Sequence, residues 1–136
     1  MTELDKTVSI FGLGYIGLPF SAALANVGYK VIGVDVDNEK ISMLKRGEVG
    51  IHEPGLRETL EKYKQRIEYT TDGAYAVQNS DIIFVTVGTP VNENDEPDYS
   101  QLDSCIEIIG KNLRKGQLVM LKSTVIIGTT EEYVSP

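Results

Sequence analysis

The sequence has very few of the residues that build metal centres and disulfide-bonded folds. Its 136 residues include one cysteine, Cys105, and one histidine, His52. A single cysteine excludes an intramolecular disulfide and a cysteine-rich zinc site, and a single histidine argues against a metal site built from imidazoles. There is also no Ser-His-Asp or Cys-His arrangement and no defined pair of catalytic carboxylates. The sequence therefore predicts no metal site and no catalytic residue within the chain.

Long apolar runs and an excess of positive charge are also missing. No stretch approaches the roughly 18 apolar residues of a membrane span, and no basic, apolar leader occupies the first residues. Lysine and arginine number 13 against 20 aspartates and glutamates, which gives a net charge of −7. We therefore expect a cytoplasmic protein with no membrane partner. The acidic balance disfavours nucleic-acid binding, and the length suits one domain.

Strand and helix patterns alternate along the chain. Runs of β-branched and apolar residues predict strands at 7–11, 29–35, 67–70, 81–87 and 118–121, the last of them buried. Helical periodicity predicts helices at 15–27, 38–46, 54–66, 74–78 and 98–113. Gly28 is expected to end the first helix and Asp37 to cap the second. This alternation predicts an α/β fold, a doubly wound parallel sheet with helices on both faces.

The helix expected at 98–113 has an apolar face formed by Leu102, Ile106, Ile109 and Leu113. Cys105 lies one position beside that face. We expect it to be a half-buried structural thiol.

A glycine pattern stands between the first strand and the first helix. Gly12, Gly14 and Gly17 form G-x-G-x-x-G. In a Rossmann-type fold the first glycine allows a tight turn, the second lets a pyrophosphate approach the backbone, and the third allows close helix–strand packing. A purely structural turn is the alternative, since the pattern alone is weak evidence.

An acid in the expected place strengthens the nucleotide interpretation. Asp35 ends the second strand, 18 residues after Gly17. A carboxylate there accepts hydrogen bonds from both ribose hydroxyls and repels a 2′-phosphate, which favours NAD over NADP. Lys40 and Arg46 could meet a 2′-phosphate, but a solvated helix face explains them better.

Two further loops follow later strands of the sheet, at the edge where ligands bind in such folds. Gly88, Thr89 and Pro90 follow the fourth strand, and Ser123 and Thr124 follow the fifth. Each loop is either part of a site or a simple turn or cap, and the residues alone leave both interpretations open.

Four ordered segments of the sequence resemble one enzyme family. They are GLGYIGLPFSAALANVGYKVIGVDVD from position 12, HEPGL at 52–56, VGTPVNENDEPD at 87–98 and STVIIGTT at 123–130. Over nearly its whole length the chain resembles the UDP-glucose/GDP-mannose dehydrogenases, which are nucleotide-sugar 6-dehydrogenases. Members of that family oxidise the C6 hydroxyl of a nucleotide sugar to a carboxylate with two NAD⁺.

The resemblance implies a set of cofactor contacts. It places NAD against Gly12, Gly14, Tyr15, Ile16 and Gly17, with Asp35 and Lys40 at the adenosine end. Thr89 of VGTP and Thr124 of STV would lie near the nicotinamide half. One departure is Lys122, since the family usually has glutamate before Ser-Thr-Val.

The resemblance also implies that residues 1–136 are one NAD-binding domain of a longer enzyme. The family's catalytic cysteine and glutamate, its central helix and its second domain would all lie past position 136. We therefore expect a chain that is inactive alone and is a monomer or weak dimer, although full-length family members are homodimers.

The GYIGLP and NENDEPD segments favour UDP-N-acetylmannosamine as the sugar nucleotide, with UDP-glucose and UDP-N-acetylglucosamine as alternatives, in polysaccharide biosynthesis. A competing interpretation is a regulatory nucleotide-sensing module of a potassium transport system. Such modules share the glycine pattern and the acid, but have no evident need for VGTP or STV.

Overall fold

Five parallel strands form one sheet at the centre of the molecule. The computed structural model describes residues 5–88 and 90–122. The strands are β1 (Thr7–Phe11), β2 (Lys30–Val34), β3 (Ile67–Thr70), β4 (Ile82–Val85) and β5 (Leu118–Leu121). They are ordered β3-β2-β1-β4-β5 and every pairing is parallel. This order confirms the predicted doubly wound α/β fold. The strand order reverses between β1 and β4: β2 and β3 lie on one side of β1, and β4 and β5 lie on the other.

Within the part of the chain that the structure describes, five helices cover the two faces of the sheet. They are α1 (Gly17–Val27), α2 (Asn38–Lys45), α3 (Leu56–Lys62), α4 (Gly73–Gln78) and α5 (Ser100–Asn112), with a 3₁₀ turn at Lys64–Arg66. One core cluster joins α1, α2 and α3 to alternate strand residues such as Val8 and Ile10. The other joins α4 and α5 to the intervening strand residues, such as Phe11 and Ile83. Because successive strand residues point to opposite faces, the sheet is buried on both sides.

Two predicted helix caps are present. The Asp37 carboxylate accepts hydrogen bonds from the backbone nitrogens of Glu39 and Lys40 at the start of α2. Gly28 ends α1 with a φ of +126°, where a side chain would be strained. Since both caps are set by local chemistry, the sequence alone located them.

Several boundaries differ from the predictions. Helix α1 begins at Gly17 rather than at position 15, because the preceding residues belong to the glycine-rich loop. The predicted helix at 54–66 is shorter, with Gly55 in a left-handed conformation before it and a separate 3₁₀ turn after it. Strand β4 spans Ile82–Val85 within the predicted 81–87.

Burial differs from the predictions at three places. Strand β5 was expected to be buried, but Leu118 and Met120 are 53% and 43% exposed. Cys105 was expected to be half-buried and is 5% exposed, packed in the core beside Leu102 and Ile109. Leu113 lies beyond the end of α5 and is 45% exposed, so it does not belong to the buried face.

Candidate functional site

A cleft of about 740 Å³ opens at the point where the strand order reverses. It is bordered by the carboxyl ends of β1, β2 and β4 and by the first two turns of α5. Its lining includes Phe11, Gly12, Gly14, Tyr15, Asp35, Thr86, Gly88, Gln101, Ser104 and Cys105. Ligands of open α/β sheets bind at this edge, so the fold places the predicted motifs where a ligand is expected.

The first and third glycines of the loop are required by close packing. Gly12 has a φ of +100°, and a Cβ on it would lie 2.8 Å from the backbone nitrogen of Val87. A Cβ on Gly17 would overlap the carbonyl oxygen of Gly12 and lie 2.6 Å from the Thr86 hydroxyl. Both glycines therefore let the start of α1 pack against the ends of β1 and β4.

The second glycine, Gly14, is different, because a Cβ built on it would meet nothing within 4 Å. Protein packing therefore does not explain a glycine here, whereas close approach by a ligand does. Among the described residues, the N–H groups of Gly14, Tyr15 and Ile16 find no hydrogen-bond acceptor. They lie at the amino end of α1, where backbone N–H groups and the helix dipole favour an anion.

The Asp35 carboxylate lies beside this loop and is held from three directions. Oδ2 accepts hydrogen bonds from the Leu13 backbone nitrogen at 3.0 Å and from the Lys40 ammonium at 3.2 Å. Oδ1 accepts one from the Asp37 backbone nitrogen at 3.0 Å. The side chain is only 11% exposed, so its orientation in the cleft is fixed.

Thr86 was not predicted as part of the site. It directly follows β4, is 7% exposed, and its hydroxyl lies 2.7 Å from the carbonyl oxygen of Gly12 and 3.0 Å from that of Phe11. Thr86 and Gly12 are 74 positions apart in sequence. Only the pairing of β1 with β4 brings them together, so no local sequence signal could have found this contact.

Cys105 lines the cleft but is poorly suited to be a nucleophile. Burial raises the pKa of its thiol to about 12. Since the thiolate is the reactive form, the thiol is inert at neutral pH. This agrees with the prediction that Cys105 is structural.

The structure brings most of the predicted site residues together. Those that line the cleft are Gly12, Gly14, Tyr15, Ile16, Asp35, Lys40 and Gly88. Gly17 packs behind the loop, and Pro90 is exposed and outside the lining. Thr89 and Thr124 lie outside the described residues.

Neither a cluster of metal ligands nor a membrane-spanning helix is found among the described residues. Nowhere within 5–88 and 90–122 do three His, Cys, Asp or Glu side chains come together as metal ligands. In the same ranges no helix is long and apolar enough to cross a bilayer.

The glycine-rich loop, the free N–H groups and the strand-end acid together define a dinucleotide-binding domain of the Rossmann class. Comparison with known proteins gives a narrower assignment. The NAD-binding domain of the UDP-glucose/GDP-mannose dehydrogenase family matches residues 6–136. The chain belongs to that family, and its residues fit NAD as cofactor.

Relatives found by sequence and by structure support the same family assignment. UDP-glucose 6-dehydrogenase TuaD of Bacillus subtilis is 38% identical over 126 residues, which cover 91% of this chain and 27% of that protein. The structure of a GDP-mannose dehydrogenase from Pseudomonas aeruginosa, solved as a ternary complex, superposes with a TM-score of 0.89 at 39% identity. That match covers 93% of this chain and 30% of the other.

The UDP-N-acetyl-mannosamine dehydrogenase Cap5O of Staphylococcus aureus gives a TM-score of 0.87 at 32% identity, covering 96% of this chain and 31% of that protein. The chain thus spans less than a third of the length of these three relatives. The match to a dehydrogenase family over residues 6–136 favours the enzyme interpretation over the potassium-transport module.

Proposed function

We propose that the chain is the cofactor domain of a nucleotide-sugar 6-dehydrogenase, in which it binds NAD and the rest of the enzyme binds the sugar nucleotide. The observation that carries this proposal is the combination at one cleft of open space over Gly14 and a fixed carboxylate at Asp35. A pyrophosphate needs the first feature, and the adenosine ribose needs the second.

Each part of the site has a distinct role in this proposal. The backbone N–H groups of Gly14, Tyr15 and Ile16 bind the pyrophosphate at the amino end of α1. Asp35 accepts hydrogen bonds from the ribose hydroxyls, and Lys40 holds that carboxylate in place. Gly88, with Thr89 and Thr124 by their motif positions, belongs to the nicotinamide half.

Bound NAD would accept hydride from C6 of the sugar. The contribution of this chain is binding and orientation, because it positions the cofactor at the switch point of a rigid sheet. The Cys105 thiol is not suited to act as a nucleophile, since burial raises its pKa to about 12. We therefore propose that the catalytic cysteine and glutamate belong to the part of the relatives that this chain does not span.

The sugar nucleotide is proposed to be UDP-N-acetylmannosamine, on the strength of GYIGLP and NENDEPD, with UDP-glucose and UDP-N-acetylglucosamine as alternatives. Relatives that act on UDP-glucose and GDP-mannose are at least as similar in sequence, so all of these sugars belong in the test. A homodimeric whole enzyme, a role in polysaccharide biosynthesis and a cytoplasmic location stay predictions from the sequence.

Isothermal titration calorimetry of the 136-residue chain tests the cofactor part of the proposal. NAD⁺ should bind and NADP⁺ should bind at least about tenfold more weakly, because the Asp35 carboxylate repels a 2′-phosphate. Equal affinities would contradict the role of Asp35. Turnover with NAD⁺ and each sugar nucleotide should be absent for the chain, and steady-state oxidation by it would show that catalytic groups lie within residues 1–136.

A further inference from the structure

The glycine-rich loop is tied to the strands on both of its sides. On the β2 side, the Gly12 nitrogen donates to the Val34 carbonyl at 2.8 Å and the Leu13 nitrogen donates to the Asp35 carboxylate. On the β4 side, Thr86 supplies the hydrogen bonds that hold the Phe11 and Gly12 carbonyls. Its nitrogen donates to the Phe11 carbonyl at 2.8 Å, and its hydroxyl reaches the Phe11 and Gly12 carbonyls.

The Thr86 hydroxyl is the one hydrogen-bond donor that the described residues offer to the Gly12 carbonyl. The Phe11 carbonyl keeps the Thr86 nitrogen as a partner whether or not the hydroxyl is present. Removing the hydroxyl therefore leaves the Gly12 carbonyl unpaired while the strand pairing survives. A freed carbonyl is no longer held in one direction, so its peptide plane can turn, and that plane carries the Leu13 nitrogen as well.

That peptide plane directly precedes the N–H groups at the amino end of α1. Gly14 and Tyr15 follow Leu13 in the chain, and α1 packs so closely that Gly17 has no room for a Cβ between the Gly12 carbonyl and Thr86. A rotation at Gly12 therefore changes the direction of the N–H groups that face the cleft. Loss of the Thr86 hydroxyl should therefore weaken anion binding at this loop more than it changes distant parts of the fold.

We propose that Thr86 is a positioning residue for the cofactor: its hydroxyl fixes the Gly12 peptide and so aims the loop N–H groups at the pyrophosphate. The inference rests on the proposed placement of the pyrophosphate at this loop. It assigns no contact between Thr86 and the cofactor.

The chain offers a matched control at the other end of the same strand. Ser80 precedes β4, is 1% exposed, and its hydroxyl lies 2.7 Å from the Ala76 carbonyl and 3.0 Å from the Ser9 hydroxyl. Like Thr86 it carries a buried hydroxyl that bonds a carbonyl, but it lies outside the cleft lining. Ser80→Ala therefore measures the general effect of removing such a hydroxyl.

The experiment compares Thr86→Val, Thr86→Ala, Thr86→Ser and Ser80→Ala by calorimetry with ADP-ribose and with adenosine, and by urea unfolding. The two hydroxyl-free variants at Thr86 should bind ADP-ribose about tenfold more weakly, the effect of one lost hydrogen bond. Adenosine, which has no pyrophosphate, should lose less affinity than ADP-ribose does. Thr86→Ser keeps the hydroxyl and should restore ADP-ribose affinity, while Ser80→Ala should lose stability and keep both affinities. Thr86→Ala places no methyl group against Gly12, so it is the hydroxyl-free variant to compare if Thr86→Val does not fold.

Two different results would overturn the inference. If the hydroxyl-free variants lose stability but bind ADP-ribose as tightly as the wild type, Thr86 is merely structural and the proposed NAD site stands. If the wild type itself binds ADP-ribose no more tightly than adenosine, the pyrophosphate does not lie at this loop, and the proposed placement fails together with the inference.

Discussion

The Asp35 carboxylate lies 3.0 Å from the backbone nitrogen of Leu13, so the acid at the end of β2 and the glycine-rich loop form one hydrogen-bonded unit. The two are 22 positions apart in sequence. The acid that meets the ribose therefore also holds the loop that meets the pyrophosphate. A substitution at Asp35 has two separable effects, one on charge and one on loop geometry.

Asp35→Asn and Asp35→Ala separate these effects. Asparagine removes the charge but keeps an oxygen for the Leu13 nitrogen, whereas alanine removes both. We expect Asp35→Asn to reduce the preference for NAD⁺ over NADP⁺ by at least about tenfold, because Lys40 no longer faces a negative charge and can meet a 2′-phosphate. Asp35→Ala should in addition weaken the binding of ADP-ribose further than Asp35→Asn does. Titration of both variants with both cofactors measures this, and an unchanged preference in Asp35→Asn would refute the electrostatic argument.

Gly17→Ala should destabilise the fold. The new methyl group would overlap the Gly12 carbonyl, which cannot move without losing its hydrogen bond from the Thr86 hydroxyl. We expect the free energy of unfolding in urea to fall by at least about 2 kcal/mol. The control is Gly110→Ala in the exposed part of α5, where nothing lies within 4 Å and alanine should stabilise by up to about 1 kcal/mol. Equal stability of the two variants would contradict the packing described here.

Stability should fall at alkaline pH through two buried groups. Burial raises the pKa of Cys105 to about 12 and that of Tyr69 to about 12. In the unfolded chain the pKa is about 8.5 for the cysteine thiol and about 10 for the tyrosine hydroxyl. Above those values the unfolded state binds fewer protons than the folded state, so the free energy of unfolding decreases as pH rises. The stability concerned is fully present below about pH 8.5 and is lost towards pH 12, with a slope of up to about 1.4 kcal/mol per pH unit for each group.

Urea unfolding at intervals from pH 8 to pH 11 measures this slope. Cys105→Ser and Tyr69→Phe each remove one of the two titrations, and the double variant removes both. The difference in unfolding free energy between wild type and double variant should shrink as pH rises. A difference that is independent of pH would show that neither group is held neutral by the fold.

Much of the fold followed from local patterns in the sequence. The bounds of β1, β3 and β5 were predicted correctly, because short runs of β-branched, aromatic and aliphatic residues mark these strands. The Asp37 cap and the Gly28 end of α1 were also correct, since side-chain and backbone chemistry within a few residues determines them. The parallel pairing of the strands followed from the alternation of strands with helices.

Features that depend on neighbours in space were missed or wrong. The exposure of Leu118 in β5 depends on what packs against its face of the sheet, which the apolar pattern does not reveal. The full burial of Cys105 depends on how α5 packs against α4. The contact of Thr86 with Gly12 requires the pairing of β1 with β4. For the candidate site, the glycines and Asp35 could be predicted from their motif, while the contacts that hold them could not.

The most direct test of the central claim, that the space over Gly14 receives the pyrophosphate of NAD, is the affinity of Gly14→Ala for NAD⁺. Since a Cβ there meets no protein atom within 4 Å, unfolding in urea should match the wild type within about 0.5 kcal/mol. Binding of NAD⁺ measured by calorimetry should weaken at least about tenfold, because the methyl group occupies the space that the ligand needs. Gly110→Ala should bind NAD⁺ as the wild type does. A Gly14→Ala variant that is folded and binds NAD⁺ with wild-type affinity would contradict the account.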